Sequence, residues 1–440
     1  VNPPATSLID VAFFISIEFS QVFLKFNIKM ISISNEGVRK MIVLKNLNLI
    51  DANGNFLEDE SVIVDGTKIK EITKNASINA ETIDMKGYTV LPGLIDSHVH
   101  LSGNGEPNME IAMLKDLLPT ATLKAYVNAK NDLLAGFTTI RVMGDRGFLD
   151  VALKKAIEEG MLNGPRMRVS GQAISMTGGH GDMWLAPGIT YSGFGVIADG
   201  VDELRKAARY QLKMGADFVK LMATGGVMSE GDEPGSPQFN EDEMRVAIEE
   251  AHKAGKKAAA HAQGTEGIKN AIRAGIDSIE HGIFLDDEAV QMMKEKGVFL
   301  VATLSAVFNI KKYGKEAGIP DYAVRKTEEI MDQHISSFVR AYKAGVKIAM
   351  GTDAATPFNK HGENAQELEL MVNAGVKPVD AIMATTKWGA ELLGMDSKIG
   401  TLEPEKEADM IAVEGNPLED ITLLKNVKFV MKSGKVYKFI

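Results

Sequence analysis

Cysteine is absent from all 440 residues. That excludes a disulfide framework, a thiol nucleophile, an iron–sulfur cluster and a thiolate zinc site. Any metal must be held by His, Asp, Glu or a modified Lys, and only eight histidines are available. A long basic run is also missing, and the net charge of −10 speaks against nucleic acid and anionic membrane surfaces as partners. Long hydrophobic runs are lacking too. The stretch Val11-Ala12-Phe13-Phe14-Ile15-Ser16-Ile17 is broken by Glu18, far short of the roughly 20 apolar residues a membrane helix needs. Asp10 and the lack of an early Lys argue against a secretory signal, so a cytoplasmic location is expected. Residues 1–40 read as an N-terminal extension without a function of its own, and Met41-Ile42-Val43-Leu44-Lys45 as the start of the body.

What is present fits a globular enzyme. Hydrophobic residues at 45% and charged residues at 25% rule out wholesale disorder, and 42 glycines suit many tight strand–helix loops. Residues 41–92 and 396–440 carry short β-rich runs separated by turns such as Asp51-Ala52-Asn53-Gly54 and Ser433-Gly434. Each is too small for its own core, so the two are expected to pack together as one composite β-sandwich. Between them, residues 93–395 alternate short apolar strands with amphipathic helices. Eight strands are predicted: Gly93–His98, Thr138–Met143, Met167–Gly171, Phe218–Met222, Lys257–His261, Ser278–His281, Val298–Leu304 and Val346–Thr352. The expected fold is therefore α/β, a (β/α)8 TIM-type barrel, with a doubly wound sheet as the alternative.

In such a barrel the working residues stand at the C-terminal ends of the strands. Strand one ends Asp96-Ser97-His98-Val99-His100, whose two imidazoles project to one side of an extended chain. Strand four places Lys220 on the same face as Phe218 and Met222. A buried ammonium there must be paired, neutralised or modified, unless its head reaches solvent. A neutral amine could instead take up CO2 and offer the two oxygens of a carbamate. Strands five and six end in His261 and His281, and strand eight in Asp353. Each alone has a structural reading; together the six form a metal-ligand set.

The run Leu91-Pro92-Gly93-Leu94-Ile95-Asp96-Ser97-His98-Val99-His100, followed by Lys220, His261, His281 and Asp353, resembles the amidohydrolase superfamily. Phe218-Val219-Lys220 before Thr224-Gly225-Gly226-Val227, with Gly178-Gly179-His180-Gly181-Asp182, resembles its Xaa-Pro dipeptidase or imidazolonepropionase-like branch. The resemblance implies two divalent ions, most often Zn2+. His98, His100 and Asp353 would hold one, His261 and His281 the other, and a CO2-derived carbamate on Lys220 would bridge them. It also implies a metal-bound hydroxide as nucleophile and Asp353 as the catalytic proton shuttle.

His180, Tyr191, Met228 and Phe239 are the expected substrate contacts, with His180 meeting a carboxylate or carbonyl. Relatives of this kind carry Tyr where Phe239 stands, which removes a phenolic donor. Arg141 is expected either to bind an anion or to pair with Asp145. His252, His334 and His361 read as surface or packing residues. The leading function is hydrolysis of an amide bond in a dipeptide or N-acyl amino acid by a homo-oligomer. A cyclic amide or imidazolone hydrolase, an Xaa-Arg/Lys-specific dipeptidase or carboxypeptidase, and a non-catalytic scaffold are the alternatives.

Overall fold

Apolar alternation at the two chain ends becomes one shared sheet. In the computed structural model, which describes residues 41–76, 78–189, 191, 193 and 195–440, the chain begins with β1 (Met41–Ile50), β2 (Phe56–Asp65), β3 (Lys68–Thr73), β4 (Glu81–Asp84) and β5 (Tyr88–Pro92). The N-terminal extension lies outside the described residues. The central region runs β6 (Leu94–Val99), α1 (Met109–Lys115), α2 (Leu118–Leu134), β7 (Phe137–Val142), α3 (Leu149–Glu158), β8 (Arg166–Val169), β9 (Ala173–Ser175), β10 (Gly195–Ile197) and α4 (Gly200–Met214). It continues with β11 (Phe218–Met222), α5 (Glu241–Lys253), β12 (Lys257–Ala262), α6 (Thr265–Ala274), β13 (Ser278–His281), α7 (Asp287–Lys296), β14 (Phe299–Val301), α8 (Leu304–Tyr313) and α9 (Asp321–Ala344). After α10 (Gln366–Asn373), α11 (Pro378–Ala384) and α12 (Lys387–Leu392), the chain closes with β15 (Met410–Glu414), β16 (Phe429–Lys432) and β17 (Lys435–Phe439).

The end strands pair in the order β17-β16-β15-β5-β1-β2-β3, with β4 on β1. β5 joins β15 antiparallel from Tyr88↔Glu414 to Pro92↔Met410, so strands from both chain ends share this sheet. They meet in a single eight-stranded sheet rather than in two facing sheets. The ten-residue β1 allows this, because it pairs with β2 on one side and with β4 and then β5 on the other. Leu44, Leu49, Val62, Ile69, Val90, Met410 and Phe429 give this sheet a core separate from the larger central one.

The central strands form two parallel arcs, β6-β7-β8 and β10-β9-β11-β12-β13-β14. The eighth predicted strand is not a regular ladder. Single parallel bridges, Leu300↔Ile348 and Val99↔Ala354, tie it to β14 and β6, and Ser97 N donates to Met350 O at 2.9 Å. At its C-terminal end the Asn359 amide donates to the carbonyls of Thr352 and Asp353, at 2.7 and 3.0 Å. No helix among the described residues is long and apolar enough to cross a membrane.

Candidate metal centre

The strand ends bring His98, His100, Lys220, His261, His281 and Asp353 to the wall of one cavity. His98 and His100 leave β6 on one side of the chain, and their Nε2 atoms lie 3.4 and 3.3 Å from Asp353 Oδ1. These three could hold one ion, since a ligand atom from each lies within 4.8 Å of the others. The His281 ring stands 5.1 Å from that of His98 and 4.6 Å from that of His261.

Each imidazole is oriented by a partner on its far nitrogen. His98 Nδ1 meets Glu280 Oε2 at 2.9 Å, and His100 Nδ1 meets Gly144 O at 2.7 Å. His281 Nδ1 meets Thr303 Oγ1 at 2.7 Å; that hydroxyl donates to Ala302 O, so it accepts from the ring. His261 is reversed, with Nε2 facing Gly225 O at 3.2 Å. A carboxylate or carbonyl can only accept, so the proton sits on these outer nitrogens. The inner lone pairs are Nε2 of His98, His100 and His281 and Nδ1 of His261, the pattern expected of second-layer support for a metal.

Lys220 is 1% exposed, and among the described residues its Nζ has no hydrogen-bond partner. Burial, assisted by the Arg141 charge against Glu280 and Asp353, lowers its pKa to about 8. Burial also keeps His261 and His281 neutral, well below the usual imidazole range. For Asp353, burial is outweighed by His98 and His100, which hold its carboxyl well below the ordinary value. The donor set fits divalent ions: imidazoles, an ionised carboxylate and an orphaned amine on one cavity wall.

Behind the ligands lies a buried polar layer. Arg141 does not pair with Asp145; its guanidinium donates to both Glu280 oxygens at 2.8 and 2.9 Å, to Ser278 Oγ at 3.1 Å and to Ser97 O at 2.6 Å. Asp145 instead accepts from Leu101 N and Ser102 N, which need a partner where β6 ends. Burial would raise the Glu280 carboxyl, but Arg141 and His98 hold it below its usual range. Asp96 accepts from Thr352 N, Thr352 Oγ1 and Asn364 Nδ2 and so locks β6 to the segment bearing Asp353. Burial, opposed by these donors, raises its pKa to about 6. Glu367 accepts from Leu304 N and Ser305 N at the start of α8, next to Thr303, and burial pushes it to about 7. His361, one of the residues read as surface or packing, is buried, spanning Asp132 Oδ2 and His100 O at 2.8 and 2.9 Å. His281, Thr303 and Asp353 all adopt positive φ, at 70°, 55° and 59°, a left-handed conformation that costs a non-glycine residue steric energy.

Of the expected substrate contacts, His180 and Met228 line the cavity. Tyr191 and Phe239 do not. The Tyr191 hydroxyl donates to Met113 O at 2.9 Å, and Arg146 lies over its ring, which places it behind α1. Phe239 is 1% exposed within the central core, because Gln238 N pairs with Ala223 O and turns the next side chain inward. Met109, Met113, Met143, Met183 and Met222 join Met228 on the wall. Nothing in the sequence marked them, since methionine is as common in ordinary cores.

The model of the amidohydrolase family matches residues 89–437. This chain belongs to the amidohydrolase family. Within it, the ochratoxinase of Aspergillus niger is 34% identical over 431 residues, covering 92% of this chain and 88% of its own. The crystal structure of a Xaa-Pro dipeptidase with bound methionine in the active site is similar at TM-score 0.85 and 36% identity, over 91% of this chain and 100% of that one. A prolidase structure complexed with N-methylphosphonate-L-proline follows at TM-score 0.84 and 32% identity, with the same coverages. The chain is accordingly a hydrolase acting on C–N bonds, as these amidohydrolases are.

Proposed function

We propose that this amidohydrolase cleaves the amide bond of a dipeptide or N-acyl amino acid. His98, His100, His261, His281, Asp353 and a carbamate on Lys220 would hold two divalent ions, zinc the expected metal. The observation that carries this reading is the orphaned Nζ of Lys220 among four imidazoles whose outer nitrogens are already engaged. An ammonium there would be desolvated and unpaired, whereas a carbamate would offer two oxygen donors sharing one negative charge. Two bound divalent ions would supply a hydroxide at neutral pH and polarise the scissile carbonyl.

The chain's own groups do the rest. Asp353, kept ionised by His98 and His100, takes the proton of the attacking water and delivers it to the leaving nitrogen. His180, anchored through Nδ1, turns its other ring nitrogen to the substrate carboxylate. The methionine-rich wall adapts to apolar side chains of different shape. Two acids of the loop after β11 are engaged elsewhere, Glu233 with Arg325 at 2.8 Å and Asp232 with Lys326 at 3.3 Å. The methionine wall favours a C-terminal Pro or other apolar residue over Arg or Lys, although Glu110 and Asp182 also line the cavity. In this reading β6, β7, β8 with its continuation β9, β11, β12, β13, β14 and residues 346–354 would close into one eight-stranded barrel, residues 93–395, with β10 added at the edge of β9 and the composite β domain of residues 41–92 and 396–440 carrying it.

Elemental analysis of purified protein, paired with kcat/KM for Xaa-Pro, Xaa-Leu and Xaa-Arg dipeptides and their N-acyl counterparts, tests the proposal. About two ions per chain and chelator-sensitive hydrolysis of the apolar substrates are expected. Full activity in metal-free protein, or a strong Xaa-Arg preference, would overturn it.

A further inference from the structure

Lys326 is a fully buried cation far along the chain from each residue of the candidate metal centre. It stands on α9 with no exposed surface. Its Nζ donates to Gly226 O at 3.1 Å, to Ser229 O at 2.6 Å, to Asp232 O, and to Asp232 Oδ1 at 3.3 Å. One ammonium thus gathers three carbonyls and a carboxylate of the loop between β11 and α5. Burying a lysine is costly unless its donors are satisfied, and here every acceptor belongs to that single loop.

The gripped loop holds His180 at two points. Its ring Nδ1 meets Ser229 Oγ and lies 3.6 Å from Asp232 Oδ2. Its backbone N–H donates to Gln238 Oε1 at 2.9 Å, while Gln238 Nε2 donates to Asp232 Oδ2 at 3.1 Å. The ring stacks on His261 with centroids 4.1 Å apart and planes 22° from parallel, and Gly226 lies so close to it that a Cβ there would strike the imidazole. With Nδ1 engaged, Nε2 is the ring nitrogen without a protein partner among the described residues. Apart from the His261 ring, every element of this cradle belongs to the loop that Lys326 gathers.

We propose that Lys326 is the positioning residue for His180: by gathering residues 226–232 it holds Ser229 and Asp232 against Nδ1 and so aims Nε2 into the cavity. Lys326 touches no substrate; it acts through two residues of the loop. The kinetic arm of the test rests on the proposed contact between His180 and a substrate carboxylate, and a second arm does not.

The test uses the full chain with its metal, as wild type, Lys326→Met, His180→Ala and the double variant, with Leu-Pro and its C-terminal amide as substrates. Wild type should favour the free acid in kcat/KM by ~10-fold or more. Lys326→Met should cut that preference about fivefold through KM, with unchanged metal content, and should add nothing in the His180→Ala background. In parallel, histidine-labelled protein is followed by NMR, the His180 resonance being assigned by its loss in His180→Ala. That signal should shift and broaden in Lys326→Met while those of His252 and His361 hold. A folded Lys326→Met protein with an unmoved His180 resonance overturns the inference. If wild type does not distinguish acid from amide, the carboxylate reading fails on its own account and the resonance alone decides. Should Lys326→Met not fold, Asp232→Asn and Ser229→Ala carry the same two readouts, and His180 unmoved in both overturns the proposal.

Discussion

The floor and the outer wall of the cavity hold their histidines by different means. On the floor, His98, His261 and His281 leave parallel strands, and each outer nitrogen is fixed by a buried carboxylate, carbonyl or hydroxyl. On the wall, His180 rises from a glycine-rich turn, and its partners sit on a second loop that is itself tied down from α9. Strand ends tolerate little displacement without breaking a ladder, whereas a loop can shift as a body. The floor is built for fixed donor geometry. The wall is built for fit, and substitutions in the two regions should fail in different currencies, chemistry on the floor and binding on the wall.

The largest effect belongs to the floor. Lys220→Ala should reduce bound metal from about two ions to one or fewer and lower kcat/KM by at least ~10³-fold, with far-UV circular dichroism unchanged. Retention of both ions and of turnover would remove the carbamate. Next comes Glu280→Gln, which keeps the shape but leaves Arg141 buried without its counter-charge and frees the His98 tautomer. Metal affinity should fall ~10–100-fold, and chemical denaturation should show a loss of roughly 3–5 kcal/mol.

The wall should respond more mildly. Gly226→Ala drives a methyl group into the His180 ring, so KM should rise about 10-fold while kcat and metal content stay near wild type. A fall in kcat alone would place His180 with the floor. The smallest effect tests the layer behind both. The Glu367 carboxyl has a folded pKa raised to about 7 from an ordinary 4.5, so the folded state binds the extra proton between those values. Stability should therefore fall as pH rises through that window, by at most about 3 kcal/mol. Glu367→Gln should flatten that slope in denaturant titrations at pH 4.5, 6 and 7.5.

The floor was legible in the sequence because its logic is periodic. His98 and His100 two residues apart, and single polar residues ending the runs before Lys220, His261 and His281, follow directly from strands sharing one rim. Helices with clear amphipathic spacing were legible for the same reason, as Glu241–Lys253 with Met244, Ala247, Ile248 and Ala251 buried illustrates. What escaped depends on contacts between segments far apart in the chain. Arg141 lies only four residues from Asp145, yet it pairs with Glu280, 139 residues away. Phe239 follows a polar stretch that resembles a pocket lip, but one backbone hydrogen bond turns it into the core. The irregular eighth strand escaped because its pairing is reduced to single bridges to β14 and β6, which no local pattern announces. His361 and Lys326 carry no local signal; burial alone reveals them.

The left-handed backbones of His281, Thr303 and Asp353 bear on how this protein can be improved. Each holds a side chain the site uses in a conformation its own backbone disfavours, at a cost on the order of 1–3 kcal/mol per residue. Glycine at any of the three would relax the backbone and remove the imidazole, the hydroxyl or the carboxylate. A screen that selects only for heat resistance would be drawn to these positions and would return hardier proteins that no longer turn over. Thermal engineering should therefore leave residues 281, 303 and 353 fixed and seek its gains elsewhere, in the small sheet and on the outer faces of the helices.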